Sequence, residues 1–190
     1  MAKARESGVP EREVWERFFD PDRILDALLC RDIQGDALEF GCGYGTFSIP
    51  AARRVSGRLH ALDIEPAIVQ VTTTRAAANG LKNISAQQRD FVLLGSGLPS
   101  QSVRYVMLFN ILHLEDPHSL LEETRRVLVP GGHAAVIHWR RDIATPRGPS
   151  LEVRPARSTC GQWAEAAGLH VISLPELPNT PWHWGMCLRA

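Results

Sequence analysis

Glu39-Phe40-Gly41-Cys42-Gly43-Tyr44-Gly45-Thr46 is the stretch that decides the fold. In front of it, Ala37-Leu38-Glu39-Phe40 is a short run that reads as a buried strand. Behind it, Ser48 to Val55 reads as a helix. Glycines at 41, 43 and 45 let the backbone turn sharply and let a ligand approach the main chain. A second strand, Leu59 to Ile64, carries Asp63 near its end. That aspartate lies about 20 residues past the turn, where a carboxylate can accept both hydroxyls of a ribose. Strand, glycine turn, helix, strand and acid follow each other in the order that a nucleoside site requires. The third glycine comes one residue earlier than in the dinucleotide fingerprint, and Thr46 stands in its place. The turn therefore suits a nucleoside ligand without a pyrophosphate.

Outward from the turn, strands and helices alternate. Glu65-Pro66 opens a helix that runs through Ala76-Ala77-Ala78 and stops near Asn79-Gly80. Ile84 to Gln88 is a third strand, and Val103 to Phe109, apolar apart from Arg104, is a fourth. Pro117 to Leu128 is helical, and Pro130-Gly131-Gly132 turns into a fifth strand, His133 to Trp139. Alternation of this kind means a parallel sheet covered on both faces, and right-handed crossovers make it doubly wound. Arg140 to Arg157 is irregular and rich in proline, and a short helix around Gln162 to Ala167 follows. Val171 to Leu174 and Trp182 to Leu188 are the last strands, joined by a link too short for a crossover helix, so they pair antiparallel. Before the first strand, Val14, Trp15, Phe18 and Phe19 share a helical face, and Asp20-Pro21 opens a second helix bearing Ile24, Leu25, Leu28 and Leu29. The expected architecture is α/β. A helical N-terminal preface over residues 1–35 precedes one Rossmann-like, doubly wound domain over 36–190, with a sheet of about seven strands, mostly parallel and with an antiparallel last strand.

The 190 residues carry 21 basic and 21 acidic side chains, a formal charge of zero, which argues against a general nucleic-acid binder. No apolar run is long enough for a membrane helix, and Met1-Ala-Lys-Ala-Arg-Glu lacks the apolar stretch of a signal peptide. Cys30, Cys42, Cys160 and Cys187 show neither metal-ligand nor disulfide spacing and read as reduced thiols of a cytoplasmic protein.

The pattern resembles the class I S-adenosylmethionine-dependent methyltransferases, and within them the type 11, ubiquinone-biosynthesis-like branch. The resemblance rests on five segments in the family's order: Glu39 to Gly45; Ala61-Leu62-Asp63; Gln88-Arg89-Asp90-Phe91; Phe109-Asn110-Ile111-Leu112-His113; and Val127-Leu128-Val129-Pro130-Gly131-Gly132-His133. It implies an enzyme, a transferase, with S-adenosyl-L-methionine as its cofactor. It further implies that Gly41, Gly43 and Gly45 line the methionine and ribose portion and that Asp63 holds the ribose. Ile64 packs on the adenine, Asp90 accepts from the adenine amino group, Phe91 flanks the ring, and Asn110 offers its main-chain carbonyl to the cofactor's amino group. Glu39, a charge inside a buried strand, is expected to meet the cofactor's ammonium or to sit in a structural salt bridge.

Methyl transfer from a sulfonium asks the protein mainly for positioning and exclusion of water. A base is needed only where the nucleophile carries a proton, and His113 and His138 lie where such a base belongs, at the carboxyl edge of the sheet. In the irregular segment five arginines, at 140, 141, 147, 154 and 157, face only Asp142 and Glu152. This suggests a substrate-facing loop for an anionic small molecule, with Arg140 and Arg147 as contacts. Trp15, Phe18 and Phe19 are candidates for a lid over the cofactor. The expected function is methyl transfer to a small-molecule acceptor, with no metal, no nucleic-acid partner and no membrane. The alternative is a protein that binds S-adenosylmethionine without transferring from it and acts through a partner.

Overall fold

The structure, a computed structural model, describes residues 12–190. The first part of the expected preface, residues 1–11, lies outside the described residues, as does the N-terminal stretch tested for a signal peptide. The elements run α1 (Arg12–Glu16), α2 (Pro21–Ala27), β1 (Ala37–Phe40), α3 (Ser48–Ala52), β2 (Leu59–Asp63), α4 (Pro66–Ala78), β3 (Ile84–Gln88), α5 (Phe91–Leu94), β4 (Val103–Phe109), α6 (Pro117–Val127), β5 (Leu128–Trp139), α7 (Arg157–Ala166), β6 (His170–Ser173) and β7 (His183–Arg189).

One seven-stranded sheet has the order β3-β2-β1-β4-β5-β7-β6. β1 to β5 pair parallel. β7 runs antiparallel between β5 and β6, as the short link before it requires. Strand order reverses beside β1, whose neighbours are β2 and β4. In open α/β sheets such a reversal leaves a crevice at the carboxyl ends of the two flanking strands.

Alternation along the strands splits the core into two layers. Tyr105, Met107 and Phe109 of β4 face α2, α3 and the preface aromatics, while Val106 and Leu108 face α6 and α7. Each fully buried aliphatic side chain of this kind contributes roughly 1.5–3 kcal/mol. The Tyr105 hydroxyl is buried as well, and it donates to the Leu28 carbonyl at 2.6 Å, which ties the preface under the sheet.

The departures from expectation are local. α1 stops at Glu16, so Phe18 and Phe19 reach the core from a turn rather than from a helical face. α3 is one turn shorter than expected, and α7 begins five residues earlier, directly after Pro155-Ala156. β5 starts at Leu128, so Pro130-Gly131-Gly132 lies inside the strand at a register irregularity and not before it. Gly131, at φ +75°, supplies the backbone freedom that this irregularity needs. The unexpected α5 is a single turn, capped by Asp90 and stopped by Gly95 at φ +60°. An aspartate five residues ahead of a glycine was the signal for it. No helix among the described residues is long and apolar enough to cross a membrane.

Candidate active site

The glycine turn leaves β1 at the point of strand reversal, and its shape is fixed from three sides. The Gly43 N–H donates to Asp63 Oδ2 at 2.9 Å. The Thr72 hydroxyl of α4 donates to the Gly43 carbonyl at 2.7 Å. Arg75, one turn further along α4, donates to the Tyr44 carbonyl at 2.6 Å. Arg75 also pairs with Glu16 of α1 at 2.7 Å, which links the preface to the turn. Gly41, Gly43 and Gly45 all have positive φ. A Cβ on Gly41 would press on Ile111 at 3.0 Å and one on Gly45 on Thr72 at 3.1 Å. At Gly43 it would meet no protein atom within 4 Å. Gly43 is therefore glycine for its backbone, and the space in front of it is open.

Asp63 is 4% exposed. Its Oδ2 accepts from Gly43 and its Oδ1 from the Glu65 N–H at 3.1 Å, so each oxygen keeps a lone pair. Burial raises its pKa, and the two backbone donors oppose that rise. Glu39 is buried one strand away, and its Oε2 accepts a short hydrogen bond from the Ser48 hydroxyl. No cation is paired with it among the described residues. Burial, reinforced by Asp63 and opposed by Ser48, pushes its pKa up to about 8.

Across the crevice, Asn110 directly follows β4 with φ +56°, a left-handed conformation that asparagine tolerates better than most residues. Its N–H donates to the Ile137 carbonyl at 2.7 Å. Its side-chain Oδ1 and Nδ2 are buried without a hydrogen-bond partner, and so is Thr46 Oγ1 beside the glycines. Unpaired buried polar atoms are costly, and three of them on residues flanking one crevice point to a polar ligand. Ile64 is half-buried next to Asp63. Asp90 spends one oxygen on the cap of α5, accepting from Leu93 N–H at 3.1 Å. Phe91 is buried edge-on against Phe40, with ring centroids 5.2 Å apart, so its ring belongs to the core.

At the ends of β4 and β5 the two expected histidines meet. His113 Nδ1 and His138 Nε2 are 3.2 Å apart, and His138 Nδ1 lies 3.2 Å from the Trp139 carbonyl. Burial, His113 and Arg154 lower the His138 pKa to about 3. Burial and Arg154 lower that of His113. His183, packed against Trp139 at 4.0 Å and Phe19 at 4.8 Å, is also held neutral, at about 3, by burial first.

The loop arginines divide. Arg140 pairs with Asp142 at the surface, and Arg147 is exposed. Arg154 is instead 5% exposed, with its guanidinium 5.7 Å from the Trp139 ring. It donates to the carbonyls of Pro149 at 2.8 Å, Arg140 at 2.8 Å and Arg147 at 3.1 Å. No carboxylate pairs with it among the described residues. Sequence reading counted Arg154 in the loop without singling it out, and it missed Ser48, Thr72, Arg75 and His183. Nothing in local spacing marks these five: Thr72 and Arg75 act across some 30 residues, and the others are set apart by burial that only the fold produces.

Comparison with known proteins identifies the family and the fold. A family described as "Methyltransferase domain" matches residues 37–132, just over half the chain. The aklanonic acid methyltransferase DauC of a Streptomyces species is 32% identical over 124 residues, covering 62% of this chain and 54% of that protein. A tRNA/tmRNA (uracil-C(5))-methyltransferase of a Nitratiruptor species is 32% identical over 91 residues, covering 48% of this chain and 24% of that protein. This chain thus spans about half the length, or less, of these relatives. A solved SAM-dependent methyltransferase from Aquifex aeolicus shares the fold with a TM-score of 0.79, at 24% identity, over 98% of this chain and 96% of that one.

Proposed function

We propose that this chain, which belongs to the methyltransferase-domain family, transfers a methyl group from S-adenosylmethionine to an anionic small molecule. The observation that carries the cofactor assignment is the open space in front of Gly43, whose N–H binds Asp63, with a lone pair left on each Asp63 oxygen; the buried unpaired atoms of Thr46 and Asn110, on the segments that follow β1 and β4, support it. These residues fit the family's cofactor. Asp63 would hold the two ribose hydroxyls, Glu39 its ammonium, and Asn110 and Thr46 its remaining polar groups. Ile64 would lie along the adenine, with Asp90 offering its second oxygen to the amino group. Bound there, the cofactor supplies a methyl group on a sulfonium, a leaving group that needs no further activation. The protein's contribution is alignment and exclusion of water. α1, tied to the turn through Glu16 and Arg75, acts as the lid.

The acceptor reading rests on Arg154. A buried guanidinium compensated only by carbonyl dipoles, among histidines that stay neutral, leaves this cluster with an uncompensated positive charge. A carboxylate on the acceptor completes that pairing through the N–H groups that the loop carbonyls leave free. DauC is by name a methyltransferase of an acid, which supports the same class. The chain's formal charge of zero favours a small molecule over a nucleic acid. Four buried free thiols suit a reducing, cytoplasmic setting.

The test uses methyl-labelled cofactor and three acceptor sets: aromatic acids, their matched amides, and transfer RNA. Label is expected in the acids alone. Arg154→Met should abolish the preference for acid over amide, and Arg147→Ala should leave it unchanged. Label in the RNA, or a preference that follows Arg147, overturns the reading of the acceptor.

A further inference from the structure

The two histidines are not equivalent, and their hydrogen bonds assign each a role. His138 lies between Ile137 and Trp139 in β5, is fully buried, and stacks on Trp184 with ring centroids 5.9 Å apart and planes at 27°. That stacking fixes its ring. Its Nδ1 faces the Trp139 carbonyl, and a carbonyl can only accept, so the proton of the neutral ring sits on Nδ1. Nε2 is then bare and can only accept. Its neighbour at 3.2 Å is His113 Nδ1, which must therefore carry the proton in its turn. A neutral His113 protonated on Nδ1 has its lone pair on Nε2. That nitrogen makes no bond to any described residue.

We propose that His138 is a positioning residue that holds His113 in the Nδ1–H tautomer, and that His113 Nε2 is the base for an acceptor whose nucleophile carries a proton. The inference rests on the methyltransferase reading and narrows its substrate: besides an anionic group, the acceptor carries a hydroxyl or an N–H at the atom methylated. The acceptor's proton passes to His113 Nε2, and its heteroatom forms the new bond to the methyl carbon. The carbon–sulfur pair stays with sulfur, which becomes a neutral thioether. His113 leaves the step as an imidazolium, its Nδ1–H still bonded to His138, and His138 takes no proton. The charged and titratable groups acting on His113 are the permanent cation Arg154, from the loop before α7, and neutral His138. Burial and Arg154 keep His113 unprotonated, and so able to act as a base, at neutral pH.

The inference is tested by nitrogen-15 imidazole spectra of the full chain above pH 7, without any acceptor. The native protein is expected to show His113 and His138 neutral, each with its proton on Nδ1. In His138→Leu, His113 loses its acceptor and should move to the Nε2–H tautomer that free imidazole side chains favour. In His138→Gln the side-chain oxygen can take the place of Nε2 and should preserve the native tautomer. A native His113 protonated on Nε2 overturns the proposal even if neither variant folds, and so does an unchanged tautomer in a folded His138→Leu. Failure of the methyltransferase reading is separate: it would show as a chain that does not bind S-adenosylmethionine while the His113 tautomer stands.

Discussion

The glycine turn after β1 and the histidine–arginine cluster at the ends of β4 and β5 share one edge of the sheet but are built by different means. The turn is backbone held by side chains: Asp63, Thr72 and Arg75 each bind a main-chain atom of residues 43 and 44. The cluster is side chains held by one another and by a loop: His113 on His138, His138 on Trp184, and Arg154 on Trp139 and three carbonyls. A site made from backbone constrains which residues can stand in it. A site made from side-chain contacts constrains only the geometry, which several sequences can supply. The first kind suits a ligand that is always the same, and the second suits one that varies between relatives.

The sharpest way to break this contrast is to put a side chain on the turn. Gly43→Val adds atoms to space that no protein atom fills, and its left-handed φ costs about 2 kcal/mol of stability. It should therefore abolish cofactor binding in calorimetry while circular dichroism stays native. A variant that unfolds would make the turn structural first and the cleft secondary.

A second prediction sets the two regions against each other through pH. His138 and His183 have pKa values near 3 in the fold against an ordinary 6.5, so the unfolded chain binds more protons and stability falls as pH drops below 6.5. Together they account for a slope of up to about 2.7 kcal/mol per pH unit. His113, also lowered, adds in the same direction. Glu39, raised to about 8 from 4.5, has the opposite sign: the fold binds the extra proton, and stability falls as pH rises from 4.5 to 8. Asp63, raised as well, works with Glu39. Denaturant melts should peak near pH 6.5 and lose about 1 kcal/mol by pH 8. His183→Leu should flatten the acid limb and Glu39→Gln the alkaline one. A melt that is flat from pH 5 to pH 8 would show that neither burial acts as described.

A smaller effect isolates Glu39 in the cofactor's presence. An ammonium beside the carboxyl favours its charged form, so binding near pH 7 should release close to one proton. Titrations in buffers of different ionisation heat measure that release, and Glu39→Gln should remove it. Equal proton release in the variant would assign the proton elsewhere.

The same contrast explains what could be read in advance. β1 and β4 coincide with the expected strands because short runs that are apolar apart from one residue, set between turn residues, leave little freedom, and the more polar β3 coincides as well. Gly41 to Gly45 and Asp63 were legible because strand, turn and acid are neighbours in sequence as well as in space. The cluster was only half legible. His113 and His138 stood out by their places at strand ends, but their pairing depends on β4 and β5 lying side by side. Among the loop arginines, local charge favoured Arg140 and Arg147. What distinguishes Arg154 is burial against Trp139, a contact that only the folded chain makes. Phe91 matched a motif, and its ring sits against Phe40 because α5 turns it inward.

The crevice proposed to hold S-adenosylmethionine, between Gly43, Asp63 and Asn110, is open to calorimetric titration. The native chain should bind S-adenosylmethionine and its demethylated product and should not bind NAD. Asp63→Ala removes the acceptor of two ribose hydroxyls and should weaken binding by about 2–4 kcal/mol, roughly 30- to 1,000-fold. A native chain that binds NAD in preference, or an Asp63→Ala chain that binds S-adenosylmethionine as tightly as the native one, would contradict that proposal.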